Sequence, residues 1–199
     1  LTLFRNTQAR VRGAVGISRN TRLTARVGGA TLFSNATAGA IGSRYTRVEA
    51  GTLPVELVVD GTQVAAPSRT LEAGADYTLL VWDDDAGTHT TLISDDNRLP
   101  NTSGTAKLRL LNGMSGIGEP INLAIDYSPI AEGVELGQAS AFVNVDSGTG
   151  FQMDVTNTNT SLSLLRRDDV TLQASSVYTM FMAGGPNSDQ IVGTLRKDR

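Results

Sequence analysis

Cysteine is absent, so the chain has no disulfide and no thiolate metal ligand. Histidine occurs once, at His89 in "DAGTHTT", with no G-x-S-x-G pattern beside it. A Ser-His-Asp site would have to be built on that one imidazole, and the plainer reading is a solvated strand residue. Long apolar runs are missing too. The longest span a few residues, such as Met180–Ala183, whereas a membrane-spanning helix needs roughly 20. No segment carries a sustained i, i+3, i+4, i+7 apolar stripe, which argues against a helical fold. Lys is scarce and the net charge is only −3. With no aromatic interleaving of its basic residues, the chain does not read as a nucleic-acid binder.

What remains is rich in Gly, Ser, Thr, Asn and Asp, the composition of strands and turns. The chain also repeats itself. "LEAGADYTLLVW" (71–82) returns as "LQASSVYTMFMA" (172–183), with Tyr77 matching Tyr178 at an offset of 101. "ARVR" (9–12) returns as "AKLR" (106–109), and "YTRVEAG" (45–51) as "FVNVDSG" (142–148), both at an offset of 97. Three blocks in the same order and near-constant spacing predict two homologous units of about 100 residues each, a common size for a β-sandwich. The boundaries read as 1–97, a linker at 98–104, and 105–199, the join lying in "SDDNRLPNTSG". Strand signals recur through both units. Residues 9–15, 21–27, 30–33, 43–48, 54–60, 76–82 and 89–94 are candidates in the first, and 106–112, 121–127, 134–137, 140–145, 151–155, 161–165, 177–183 and 190–196 in the second. In "ARVRGAV" Ala9, Val11 and Gly13 share one face and Arg10 and Arg12 the other. Period-two alternation between short turns predicts an all-β fold of two tandem Ig-like antiparallel β-sandwiches. Leu followed six residues later by Tyr and then a strand resembles a tyrosine corner, so Tyr77 and Tyr178 are predicted to be structural.

"ARVR" at a unit start, "S.Y..V.AG" in the middle, "L.AG..YT" near the end and "LISDD" at the close resemble the bacterial family called domain of unknown function 4397. "AKLRLLNG" (106–113) matches the unit start better than "ARVRGAVG", which lacks the Asn. The resemblance covers nearly the whole chain. It implies Ig-like folds in secreted or lipid-anchored proteins of the bacterial envelope, with no established activity. It supplies no catalytic residues and no cofactor. The chain starts at Leu1, and a removed leader or an N-terminal lipid anchor outside this sequence is the expected link to a membrane.

Three features are candidates for binding. Residues 1–50 hold eight Arg and one acid, a net of +7, and the remainder carries −10. Arg10 and Arg12 share a strand face, and Arg22 and Arg26 share parity on the next. If those strands are neighbours, four guanidinium groups make an anion-binding patch. The alternative is pairing with the acidic strands of the same unit. Asp83, Asp84 and Asp85 form an acidic run that reads either as a calcium loop or as a solvated turn. "NGMSGIGEP" (112–120) is a flexible loop suited to binding, and Asp168-Asp169 beside Arg166-Arg167 reads as a charged turn. The function expected is a non-catalytic binding or scaffold module, extracytoplasmic and bacterial, recognising polysaccharide or an envelope protein. Two rivals stand beside it. One is an accessory protein or enzyme of carbohydrate modification, needing an acid pair in a groove. The other is a passive spacer, favoured by a rigid apolar interface between the units.

Overall fold

A computed structural model describes residues 5–18 and 20–199. Arg19, one of the eight N-terminal arginines, lies outside the described residues. The described chain is all-β apart from a 3-10 turn at Ser188–Gln190. In the first half the strands are β1 (Gln8–Val15), β2 (Leu23–Val27), β3 (Ala30–Ala36), β4 (Thr46–Glu49), β5 (Gly51–Leu53), β6 (Val55–Val59), β7 (Thr62–Val64), β8 (Arg69–Leu71), β9 (Asp76–Asp84) and β10 (Gly87–Ser94). In the second they are β11 (Thr105–Gly113), β12 (Ile121–Ile125), β13 (Ser128–Val134), β14 (Val143–Asp146), β15 (Gly148–Asn157), β16 (Ser163–Leu172), β17 (Val177–Gly184) and β18 (Ile191–Lys197).

The two halves repeat one strand order. Sheet β10-β9-β1-β4 packs on sheet β3-β2-β6-β7, and sheet β18-β17-β11-β14 packs on sheet β13-β12-β15-β16. In each half the first strand runs parallel to the late strand, pairing Val11 with Tyr77 and Leu108 with Tyr178. Alternation decides what each face buries. Ala9, Val11 and Val15 of β1 join Leu23, Ala25, Leu57, Tyr77, Leu79 and Val81 in one core. Ala106, Leu108 and Leu110 of β11 join Ile121, Leu123, Val155, Tyr178, Met180 and Met182 in another.

A third apolar cluster lies between the halves. Ala14, Ile41 and Leu80 of the first meet Leu111, Phe181 and Ala183 of the second. The inner sheets are therefore buried on both faces, and every residue of β17 is buried. That burial explains why "VYTMFMAG" reads as an almost unbroken apolar run.

The phenols of Tyr77 and Tyr178 occupy matching places. Each ring is buried, and each oxygen accepts a backbone N–H from five residues upstream, Glu72 at 3.1 Å and Gln173 at 3.0 Å. Tyr178→Phe is expected to leave the Gln173 amide without its partner and to lower stability by about 1–2 kcal/mol. Urea unfolding measures it, and an unchanged midpoint would show the bond to be dispensable.

Three expectations need correction. Residues 135–137 are not strand. The strand is Ser128–Val134, with Gly133 at positive φ and a shift of register against β12. Residues 166–169 are not a turn but lie inside β16, where Asp169 at φ 61° and a register shift against β15 mark a bulge. Asp95, in the polar stretch that holds the join, is not solvated, because its side chain is fully enclosed. The long β15 also has a broken counterpart. In the first half Pro54, which has no N–H to give a ladder, separates β5 from β6.

Candidate functional site

The junction between the halves is built from equivalent residues that reach across to each other. Arg12 on β1 and Arg109 on β11 project from the faces opposite the two cores, where solvent would lie if either half stood alone. Each is instead buried, 2% exposed. Arg12 donates to Asp198 at 2.6 Å, and Arg109 donates to Asp95 at 2.6 Å. Each arginine Nε also donates to a threonine hydroxyl of its own half, Thr78 at 2.9 Å and Thr179 at 3.0 Å. Those hydroxyls donate onward, Thr78 to Asp95 and Thr179 to Asp198, both at 2.6 Å. The guanidinium of Arg12 lies 5.1 Å from the Tyr45 ring centroid, and that of Arg109 4.6 Å from the equivalent Phe142. Within one chain this is the reciprocal pattern of an isologous dimer interface.

The electrostatics follow from the enclosure. Burial works against the charge on Arg12, and Asp198, with Asp95 behind it, outweighs that and holds the guanidinium protonated. Burial and then Asp95 push the Tyr45 phenol above its ordinary range, so it remains a neutral donor, giving a 2.7 Å bond to Asp95. On the rim, Lys107 donates to the carbonyls of Asp96 and Arg98 at 2.9 and 2.8 Å, tying the connecting segment to β11.

Further along the same strands, past the end of β11, a cleft of about 530 Å³ opens between the halves. One wall is the end of β9, with Trp82, Asp84 and Asp85. The other is the 115–118 loop with Glu135 and Leu136. Trp82 is fixed on several sides. Its Nε1 donates to Thr91 at 2.9 Å, His89 packs on it with ring centroids 4.5 Å apart, and Gly137 lies so close that a Cβ there would fall 2.5 Å from the indole. The loop is pinned to the strand by the Asp83 N–H, which donates to the Ser115 hydroxyl at 2.9 Å. His89 contacts Asp84 at 2.7 Å, and that bond together with the turn amide of Ala86 keeps the exposed Asp84 carboxyl below its usual range.

The four arginines do not form one patch. Arg10 and Arg12 face the second half, whereas Arg22 and Arg26 lie on the outer face of the opposite sheet, with Arg26 in register with Glu56. Arg10 is exposed but occupied, in a two-pronged bond to Asp76 at 2.7 and 2.6 Å. Burial alone would raise the Asp76 carboxyl, but the bonds from Arg10 and Asn97 leave it lowered. Asp83, Asp84 and Asp85 do not converge on one point either. Among the described residues no three His, Cys, Asp or Glu side chains come together as metal ligands. The fold does bring the acidic run and the glycine-rich loop, which the sequence offers as separate candidates, onto opposite walls of one cleft. Trp82 escaped the sequence reading. Its signal was available: it is the single tryptophan, at the end of a strand immediately before the acidic run.

Fold and cleft together define an all-β protein of several packed sheets with a cleft between its halves. The chain belongs to the family "Domain of unknown function (DUF4397)", whose model matches residues 9–119, just over half of it. No curated protein matches the chain. A solved structure with a loose likeness is CBMbc (family CBM26) from Eubacterium rectale Amy13K in complex with maltoheptaose, at 12% identity over 96% of each chain with a TM-score of 0.28. A likeness of that degree carries no argument here.

Proposed function

We propose that this chain is a non-catalytic recognition module of the bacterial envelope or secreted fraction. It consists of two Ig-like domains, 1–97 and 105–199, joined by 98–104 and locked into one rigid body. The ligand is a polysaccharide or an envelope protein, taken up in the cleft between the halves. One observation carries the reading: the cleft has a wall from each half, and the walls are held together at the cleft itself by the Asp83 N–H bond to the Ser115 hydroxyl and by the close packing of Trp82 on Gly137. A site assembled from rigid elements needs little ordering when it binds. The aromatic face of Trp82 and the carboxylates of Asp84, Asp85 and Glu135 favour neutral or cationic ligands over anionic ones.

The enzyme reading gains little from the same acids. A glycosidase needs a carboxyl held protonated, and His89 moves Asp84 the other way. The spacer reading draws on a separate observation, the apolar cluster between the halves, and it predicts a cleft that binds nothing.

Trp82 is the only tryptophan, so its emission reports on the cleft directly. Titrating the chain with envelope polysaccharides and a glycan panel at low and high salt is expected to shift that emission. Asp85→Asn combined with Glu135→Gln, both at exposed positions, is expected to weaken cationic ligands roughly tenfold. No shift with any ligand at either salt would leave the spacer reading in its place.

A further inference from the structure

The hairpin between β12 and β13 turns on Asp126 and Tyr127, with φ of 46° and 65°. The equivalent hairpin between β2 and β3 turns on Gly28 and Gly29, with φ of 55° and 82°. A two-residue turn with both φ positive suits Gly, Asn and Asp. A tyrosine at the second position sets its Cβ against the backbone. The second half accepts that strain, and it gets no packing in return. Tyr127 is 80% exposed and exceeds every other exposed large hydrophobic residue among those described. No hydrogen bond from its hydroxyl occurs among the described residues. Other non-glycine residues among those described also take positive φ, but Tyr127 is the one that combines it with a large exposed ring, and strained positions tend to cluster at functional sites.

The residues on either side of Tyr127 both line a groove of about 290 Å³ at this end of the second sandwich. Its apolar surface comes from Ile125, Ile130 and Phe151, and its polar edge from Asp126, Asn144 and Asp146. One oxygen of Asp126 accepts the Gln152 N–H at 2.8 Å, which fixes the carboxylate and leaves its second oxygen for another donor. No Lys or Arg lines the groove.

We propose that Tyr127 and this groove form a saccharide subsite for neutral sugar rings. The chemistry selects that class. A pyranose has an apolar C–H face that stacks on an aromatic ring and hydroxyl donors on its edge that carboxylate and amide oxygens accept. Two carboxylates with no cation repel uronic or sulfated sugars. The site belongs to the second half alone, because the first half has glycines at the turn. It is separate from the cleft at Trp82, so the two stand or fall independently.

The test uses the whole chain and neutral hexasaccharides of glucose, mannose, galactose and xylose, titrated by calorimetry with Trp82 emission followed in parallel. At least one is expected to bind without moving Trp82. Tyr127→Gly is expected to weaken that binding at least tenfold while keeping or raising the melting temperature, since glycine suits the turn. Asp146→Asn is expected to weaken it less. The proposal is overturned if no neutral hexasaccharide binds, if Tyr127→Gly binds as well as the parent, or if a hexuronate binds more tightly. Binding that moves Trp82 and survives Tyr127→Gly would assign the sugar to the cleft instead and would remove this site.

Discussion

Asp95→Ala should cost about 3–5 kcal/mol of stability, out of proportion to an acid that the sequence places in the polar stretch that holds the join. The side chain of Asp95 is fully enclosed. It accepts from Arg109 at 2.6 Å, Thr78 at 2.6 Å and Tyr45 at 2.7 Å, with Arg12 at 3.7 Å. Among the described residues Asp95 is the only carboxylate paired with Arg109. Without it, a guanidinium whose side chain is 2% exposed keeps only neutral acceptors, Thr179 and the Ser94 carbonyl. A lone buried charge is costly because water no longer solvates it and no counter-charge replaces the water. In a chain of this size each kcal/mol moves the melting point by about 2–4 °C. Asp198→Ala should cost less, since Arg12 retains Asp95 within 3.7 Å. Replacing both partners, Asp95→Leu with Arg109→Met, should recover part of the loss, because it no longer strands the Arg109 charge, although the Thr78 and Tyr45 hydroxyls still lose their acceptor. Urea midpoints for the single variants and the pair measure the coupling directly. An Asp95→Ala midpoint equal to the parent's, or a double variant worse than either single one, would contradict the account.

Why the sequence conceals this junction is a matter of what a buried ion pair looks like. "ARVRGAV" and "AKLRLLN" alternate cleanly, so which residues share a face can be read directly. Whether water or a second sheet covers the charged face cannot, because charge on the outer face of a strand is what a solvated sheet also shows. The partner of Arg12 is 186 positions away, and no local pattern points to it. One hint was present in "VYTMFMAG", where only Thr179 interrupts the apolar run, and such a strand needs cover on both sides. The repeat, most of the longer strands and the positions of Tyr77 and Tyr178 were legible because local periodicity and spacing encode them, whereas the three-residue strands β5, β7 and β8 are too short to show a period. The cleft was half legible. Asp83–Asp85 and the 115–118 loop each look unusual in sequence, but their meeting depends on how the halves dock. Only the start of β16 was legible, as the candidate 161–165; the rest was hidden by its run of four charged residues, which the bulge at Asp169 accommodates on an exposed strand.

Docking in turn depends on two glycines. Gly16 and Gly113 lie 97 positions apart, the same offset as "ARVR" and "AKLR", and they face each other across the junction. A Cβ on Gly16 would fall 2.7 Å from the Gly113 carbonyl oxygen and 2.9 Å from its Cα, and one on Gly113 would fall 3.1 Å from the Gly16 Cα. These contacts are backbone against backbone, so neither side can yield by changing a rotamer. Equivalent residues touching each other mark the local two-fold, and glycine is needed there to let the sheets approach rather than to satisfy a turn. Gly16→Val should therefore force the inner sheets apart. Leu80, Leu111 and Phe181, each fully buried now, would lose contacts, and the Arg12–Asp198 and Arg109–Asp95 bonds would lengthen. The expected loss is about 3 kcal/mol or more, because an inserted side chain cannot be absorbed by repacking alone. Each half keeps its own apolar core, so unfolding should lose its single step. Trp82 emission, which reports on the first half and the cleft, should change at lower urea than the circular dichroism of all the strands. Coincident transitions at the parental midpoint would mean that the halves tolerate a gap at their axis, and that the close glycine contact does not set how they dock.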